Sequence, residues 1–259
     1  MMKKSFLLSL MLSFYLSFGP VGLVSPSRSQ TTVDNSIWTL LLEKYVKNSV
    51  VNYQGFKTDE ESLNRYLKVL EKIDPDTLAP DEQFAFYVNA YNAWTIKLIL
   101  GGYPGIKSIK DLGSLFKTPW KKKICRIDGD IITLDDIEHK ILRARFKDPR
   151  VHFAINCASK SCPPLISEPY RGKDLDKQLD NSARSFINNS LENRIESGTL
   201  YVSKIFKWFP EDFNNDVVGF LLKYADGDFK KELIAKKGTL KIKYLKYDWS
   251  LNNKQLIEK

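Results

Sequence analysis

Apolar residues recur three and four positions apart in several stretches of the chain, with polar residues between them. This spacing places the apolar side chains on one face of an α-helix. It predicts amphipathic helices over residues 36–47, 58–74, 133–147, 174–189, 217–224 and 229–235. Each such helix needs a partner to cover its apolar face, which indicates a packed globular domain.

One further helix is apolar almost all round. It is predicted to begin at Pro80 and to end before Gly101. A helix without a polar face belongs in the middle of a core. Asn89 and Asn92 lie on it, three positions apart and therefore on one side. Buried amides of this kind either bond to the backbone or line a polar pocket.

Strands are predicted where the helical spacing is absent. Asp128-Gly129 predicts the type I′ turn of a hairpin over residues 125–133. Residues 151–156 predict a buried strand that leads into a loop over residues 157–164. Further short strands are expected over residues 200–202 and 239–244. The predicted fold is α+β, a helix-dominated single domain with a central apolar helix and a small antiparallel or mixed sheet.

Composition excludes several classes of protein. The chain of 259 residues has 27% charged and 12% aromatic residues, 13 Gly, 11 Pro and 3 Cys. Disordered, collagen-like and disulfide-scaffold proteins have other compositions. A mean hydropathy of −0.32 and a single long apolar run exclude a polytopic membrane protein. The net charge is +9, but no phosphate-binding glycine loop accompanies it, so we predict no nucleic-acid binding.

The first 29 residues have the pattern of a secretory signal peptide. Two lysines precede an apolar stretch over residues 5–18, which the pair Gly19-Pro20 ends. Ser27 and Ser29 supply the small residues that signal peptidase requires before the cleavage site. We therefore predict export to the periplasm or the medium, and a protein that is not integral to the membrane after cleavage. The alternative is a membrane anchor made by the uncleaved signal.

Residues that carry chemistry are concentrated between positions 133 and 164. The chain has 2 His, and both lie there, as His139 and His152, together with Cys157. A thiolate at Cys157 with a histidine base would give a hydrolase or transferase that acts on a small amide or peptide-like substrate. On an ideal strand His152 and Cys157 face opposite sides, so His139 is the favoured base.

Two other interpretations of these residues remain open. Cys157 and Cys162 are spaced for a structural disulfide, which an oxidising compartment permits. The protein would then be a non-enzymatic binding or interaction domain of the envelope. His139, His152 and Cys157 are also residue types that bind zinc, but no zinc motif supports that site, so no metal or cofactor is predicted.

Several segments together resemble the family of domains of unknown function numbered 547. The matching segments are Val51-Asn52-Tyr53, residues 85–93, residues 137–143, and residues 149–157 with 161–164. We expect the family's domain to fill residues 30–259, with the best match over 51–190. The resemblance implies no established activity. The partner that we expect is an unidentified small molecule or peptide. Glu138 and Arg143, which lie in the matching segments, are candidate substrate-binding residues together with Asn89 and Asn92.

The serine pair that precedes residue 30 yields a direct test of export. We expect the secreted protein to begin near Gln30, because Ser27 and Ser29 match the cleavage rule. Mass spectrometry of the N-terminal peptide measures this start. An intact chain retained in membranes would instead support the uncleaved anchor.

Overall fold

A computed structural model describes residues 32–114 and 117–253, so the predicted signal peptide lies outside the described residues. The α-helices are α1 (Ser36–Tyr45), α2 (Tyr53–Thr58), α3 (Glu60–Glu71), α4 (Pro80–Leu100), α5 (Val151–Ala154), α6 (Leu175–Ile187), α7 (Ile205–Trp208), α8 (Val217–Tyr224) and α9 (Gly227–Ala235). A π-helix, Asp136–Phe146, lies between α4 and α5. Most of the helices predicted from spacing are present, with ends that differ by a few residues.

Within the described residues, the strands are short and form three small sheets. They are β1 (Val46–Lys47), β2 (Val50–Val51), β3 (Cys125–Ile127), β4 (Asp130–Ile132), β5 (Arg194–Glu196), β6 (Thr199–Val202) and β7 (Lys241–Tyr244). β1 pairs with β2, and β3 pairs with β4 as the predicted hairpin, both antiparallel. The third sheet has the order β5-β6-β7, with β7 parallel to β6. The helix-dominated α+β fold is thereby confirmed.

The apolar helix α4 runs through the larger of the two hydrophobic cores found in residues 32–114 and 117–253. Pro80 occupies its first turn, where the missing N–H leaves no hydrogen bond unmade. From Phe84 to Leu100 every side chain except Lys97 is buried. Lys97 instead pairs with Glu60 of α3 at 2.7 Å. α4 therefore packs on all sides, against α2, α3, α6 and the π-helix.

The helix after the hairpin is wound as a π-helix, whereas the sequence predicted an ordinary one. Two hydrogen bonds close the turn that leads into it: the Thr133 N–H donates to Asp136 Oδ2, and the Asp136 N–H donates to Thr133 Oγ1, each at 3.0 Å. Its buried residues, Ile137 and Leu142, stand five positions apart. Five residues is also the hydrogen-bond spacing of a π-helix, so this winding aligns them on one face.

The chain at Val151 forms the short helix α5, so the strand predicted there is wrong. A turn begins at Asp148, whose carbonyl accepts a hydrogen bond from the Val151 N–H at 3.1 Å. An apolar run this short fits a buried strand and a buried helix equally well, because it contains too few residues to show a periodicity. As a result, the alternating faces of a strand no longer keep His152 away from Cys157.

Arg150 holds the start of α5 against α6. Its side chain is 15% exposed and pairs with Asp148 at 2.7 Å, Asp176 at 2.7 Å and Asp180 at 2.6 Å. Hydrogen bonds between charged groups are stronger than neutral ones, and here several converge on one guanidinium. The position of α5 is therefore tied to α6.

A smaller core lies beside the first. Phe153 of α5 is buried in it and packs on Phe186 of α6, with ring centroids 5.4 Å apart. Trp249 contacts both cores, so the C-terminal segment links them. Over the described ranges, no helix combines the length and the apolar character of a membrane span.

The central position of α4 predicts a large cost for truncating Trp94. Trp94→Ala should lower the free energy of unfolding by about 3–5 kcal/mol, because it leaves a cavity in a packed core. Trp94→Phe is the matched control: it keeps an aromatic ring and removes a buried indole N–H that has no partner in the described part of the chain. Denaturant melts measure both, and a loss below about 1 kcal/mol for Trp94→Ala would place α4 outside the core.

Candidate functional site

A cavity of about 300 Å³ brings together most of the residues that the sequence singled out. Cys157, His139, His152 and Glu138 line it, and Cys162 lies beside them. Aromatic side chains form much of its wall: Tyr91, Trp120, Trp208, Phe209, Tyr247 and Trp249. A larger cavity of about 940 Å³, near the starts of α1 and α4, is lined by neither cysteine nor histidine. The smaller cavity is therefore the candidate site.

The loop that carries Cys157 is closed by the side chain of Asn156. Asn156 Nδ2 donates to the carbonyl oxygen of Pro163 at 2.8 Å, and its Oδ1 accepts from the Ala158 N–H at 2.9 Å. The residue before Cys157 and the residue after Cys162 are thereby held together. Ala158 has a φ of 64°, so the loop turns sharply directly after Cys157.

Asn92 joins this loop to the central helix. Its Nδ2 donates to the Ala154 carbonyl at 3.0 Å, and its Oδ1 accepts from the Asn156 N–H at 2.8 Å. Asn89 pairs in the same way with the main chain of Tyr170, at 2.8 and 3.0 Å. Both amides thus hold backbone together in the core, and neither of these candidate substrate-binding residues lines the cavity.

The C-terminal segment, residues 247–252, covers the other side of the loop. The Lys160 N–H donates to the Ser250 carbonyl at 2.9 Å, and the Asn252 N–H donates to the Ala158 carbonyl at 3.2 Å. These backbone bonds leave the loop little freedom to move alone. They also bring the aromatic residues of the segment to the cavity.

The Cys157 sulfur is surrounded by hydrogen-bond donors. The hydrogen bond with the Cys162 thiol lowers the pKa of Cys157 most, whereas burial raises that pKa. The hydroxyls of Ser159 and Tyr247, which lie 3.1 and 3.2 Å from the sulfur, lower the pKa further. Together these contacts lower the pKa of Cys157 to about 7. Among the residues that the structure describes, no imidazole is hydrogen-bonded to this sulfur.

Cys157 and Cys162 are free thiols in this structure, so the disulfide alternative is not formed. Instead, the Cys157 N–H donates to Cys162 Sγ at 2.9 Å. Burial, reinforced by the nearby Cys157 sulfur, raises the pKa of Cys162 well above its usual range. Cys162 therefore stays protonated under conditions in which Cys157 ionises.

His152 is bound by Asp212, a residue that sequence reasoning did not select. Asp212 Oδ2 lies 2.6 Å from His152 Nε2, and the imidazole stacks on Phe209 with centroids 4.2 Å apart. Burial lowers the pKa of His152 despite this carboxylate, so the ring is neutral near pH 7. Burial would raise the pKa of Asp212, but hydrogen bonds from His152 and Arg143 hold it well below its usual range. We infer that Nε2 carries the proton and that Nδ1 is free to accept one.

Arg143 orients His139 as well as Asp212. Its Nη1 lies 3.1 Å from His139 Nδ1, and its Nε donates to Asp212 Oδ2 at 2.6 Å. Because a guanidinium only donates, His139 Nδ1 accepts this bond, and the neutral ring has its proton on Nε2. Nε2 lies 3.7 Å from Asp135 Oδ1. Arg143 does not line the cavity and acts through the residues it binds.

Glu138 lines the cavity next to Tyr91, whose hydroxyl donates to Glu138 Oε2 at 3.2 Å. Burial raises the pKa of Glu138, against the attraction of His139 and Arg143. Its carboxyl group therefore keeps a proton to higher pH than an exposed glutamate does. Over residues 32–114 and 117–253, no group of three or more His, Cys, Asp and Glu side chains is arranged to hold a metal ion.

Four residues of the site escaped sequence reasoning: Asn156, Ser159, Asp212 and Tyr247. Asn156 and Ser159 belong to the same loop as Cys157, and their polar side chains in a cysteine loop were a usable signal. Asp212 and Tyr247 reach the site from distant parts of the chain. No local pattern connects them with a loop at residue 157.

Comparison with known proteins gives a family but no described function. No curated protein and no solved structure matches the chain. Residues 75–187 match the family described as "Protein of unknown function, DUF547". The matched segment includes His139, His152 and Cys157, whereas Asp212 and Tyr247 lie beyond it. The family model thus confirms, over residues 75–187, the resemblance found in the sequence.

Proposed function

We propose that the protein is a thiol-dependent hydrolase or transferase that acts on a small amide or peptide-like substrate. Cys157 is its nucleophile and His152, held by Asp212, is its acid and base. One observation carries the proposal: a thiol with a pKa of about 7 and an imidazole bound to a carboxylate at 2.6 Å line one cavity. Perturbed ionisable groups in one cleft are typical of catalytic sites.

The reaction has two steps. In the first, the Cys157 sulfur bonds to the carbonyl carbon of the substrate and the C–N bond breaks, which leaves a thioester. Cys157 loses its proton to solvent before the attack, and His152 Nδ1 takes a proton from solvent and gives it to the departing amine. In the second, His152 Nδ1 takes a proton from water or from an acceptor amine, which attacks the thioester and frees Cys157.

The hydrogen bonds support two separate roles: the donors around Cys157 stabilise its thiolate, and the imidazole of His152 transfers protons. Hydroxyl and thiol donors already stabilise the thiolate, so Cys157 needs no imidazole in contact with it near pH 7. The sequence alone favoured His139 as the base. However, Arg143 occupies His139 Nδ1, whereas Nδ1 of His152 is available once Asp212 has fixed Nε2.

The wall of the cavity favours a small acyl group with a flat or apolar surface. The rings of Tyr247 and Trp249 lie 4.5 Å apart, and Trp208 lies 4.8 Å from Tyr247 and 5.6 Å from Trp249. Such clusters bind apolar and planar groups. About 300 Å³ is at the small end of ligand-binding cavities, which suits a short acyl chain.

We place this activity outside the cytoplasm, because the first 29 residues have the pattern of a signal peptide. The alternative function is a non-enzymatic binding domain of the envelope, stabilised by a Cys157–Cys162 disulfide. The observation that favours it is the missing hydrogen bond between either imidazole and Cys157 in the described structure.

Turnover of chromogenic acyl substrates separates the two functions. We expect the enzyme to release p-nitroaniline or p-nitrophenol from derivatives of short acyl groups, and Cys157→Ala to abolish turnover. His152→Gln should lower kcat by about 10²–10⁴-fold, because it removes the proton acceptor while its amide can still bind Asp212. Tryptic residues 151–160, which contain Cys157, should then carry the accumulated acyl group by mass spectrometry.

His139→Gln is the matched control, since it changes the other histidine of the same cavity. We expect it to lower kcat less than about tenfold. A larger decrease of kcat in His139→Gln than in His152→Gln would show that His139 is the base. If no derivative acylates Cys157, the binding domain is the better account.

A further inference from the structure

The second cysteine of the loop, Cys162, forms no bond to the substrate in acyl transfer, yet it is placed against the nucleophile. The Cys157 N–H donates to Cys162 Sγ at 2.9 Å, and the Cys162 N–H donates to the Ser159 carbonyl at 3.1 Å, which closes a tight turn. Asn156 fastens the two ends of the loop through Pro163 at 2.8 Å. The Cys162 sulfur therefore lies against the main chain of Cys157, and a side-chain hydrogen bond between the two cysteines affects the ionisation of both thiols.

Exposure also distinguishes these two cysteines from the third. Cys157 and Cys162 line the candidate cavity and are partly exposed, whereas Cys125 is fully buried in the β3-β4 hairpin. A solute small enough to enter the cavity meets the cysteine pair. It does not meet Cys125.

We propose that Cys157 and Cys162 form a reversible oxidation site for hydrogen peroxide and small organic hydroperoxides. Oxidation joins the two sulfurs in a disulfide, which removes the Cys157 thiolate and so inactivates the nucleophile. The inference rests on the same reactive Cys157 as the proposed function, and it adds a second reaction for that residue together with a role for Cys162.

The reaction is a two-electron oxidation of the pair by the hydroperoxide. The Cys157 thiolate attacks an oxygen of the hydroperoxide, the O–O bond breaks, and water or an alcohol leaves after protonation. Cys157 is now a sulfenic acid. The Cys162 sulfur attacks the Cys157 sulfur, the S–O bond breaks, and the hydroxide leaves as water with the Cys162 proton. The sum is one disulfide, one water and one water or alcohol from one hydroperoxide.

The surroundings of the pair favour its return to the reduced form. Ser159 and Tyr247 lie 3.1 and 3.2 Å from the Cys157 sulfur, where their hydroxyls stabilise a thiolate. A disulfide sulfur carries no charge for these hydroxyls to stabilise. Stabilisation of the reduced form makes a disulfide easier to reduce. An external dithiol should therefore restore the nucleophile.

Peptide mapping after peroxide treatment tests the proposal, because trypsin cuts between the two cysteines at Lys160. One equivalent of hydrogen peroxide should link residues 151–160 to residues 161–171 through a disulfide. Dithiothreitol should separate them and restore thiol reactivity. Cys125 should remain a thiol, at least about tenfold slower to react.

Cys162→Ser is the matched variant, since its hydroxyl can still donate to Cys157. It should form no link, and Cys157 should persist as a sulfenic acid that dimedone traps, then oxidise further to sulfinic acid. Oxidation of Cys157 to sulfinic acid at the same rate in the natural chain and in Cys162→Ser would overturn the proposal.

Alkylation by iodoacetamide at about pH 7 distinguishes a failure of the oxidation site from a failure of the acyl-transfer function. If Cys157 alkylates but peroxide gives no Cys157–Cys162 link, the oxidation site is refuted and the acyl-transfer function stands. If Cys157 does not alkylate, both proposals fail together, because each needs a thiolate at that pH.

Discussion

The buried amide of Asn92 is the contact on which the arrangement of the site depends. It pairs with the Ala154 carbonyl and the Asn156 N–H, and so attaches the end of α5 to the central helix. An amide left without partners in a core costs about 1–3 kcal/mol, so this pairing strongly disfavours other paths for the chain. Asn156 continues the connection by closing the cysteine loop through Pro163. The Cys157 sulfur is thereby placed by the core of the protein.

The chemistry of the site comes from separate parts of the chain. The loop contributes Cys157 and its donors, and the π-helix contributes His139 and Glu138. Residues beyond the DUF547 segment contribute Asp212, which fixes His152, and Tyr247, which lies 3.2 Å from the sulfur. In this account the donors hold the thiolate and the imidazole acts on the substrate. Cys162 serves both the ionisation of Cys157 and its oxidation.

Much of the fold followed from spacing, and the errors have physical causes. The all-round apolar pattern of α4 and the Asp128-Gly129 turn were sufficient signals because local interactions decide them. The run at Val151 was too short for periodicity to identify a helix. The five-residue interval between Ile137 and Leu142 suits a π-helix, but spacing predicted an ordinary helix there because one interval is a weak signal. Asp212 and Tyr247 were beyond sequence reasoning because tertiary folding alone brings them to Cys157.

The ionisation of Cys157 tests this account most directly. Thiolate absorbance in the ultraviolet, recorded against pH for the reduced natural chain and for Cys157→Ser, gives by difference the titration of that one thiol. The donors predict a midpoint at about pH 7, with the thiolate formed as the pH rises through it. Tyr247→Phe should move the midpoint upward, because it removes a donor to the charged form. A midpoint at about 8.5, as in an unperturbed thiol, would contradict the account.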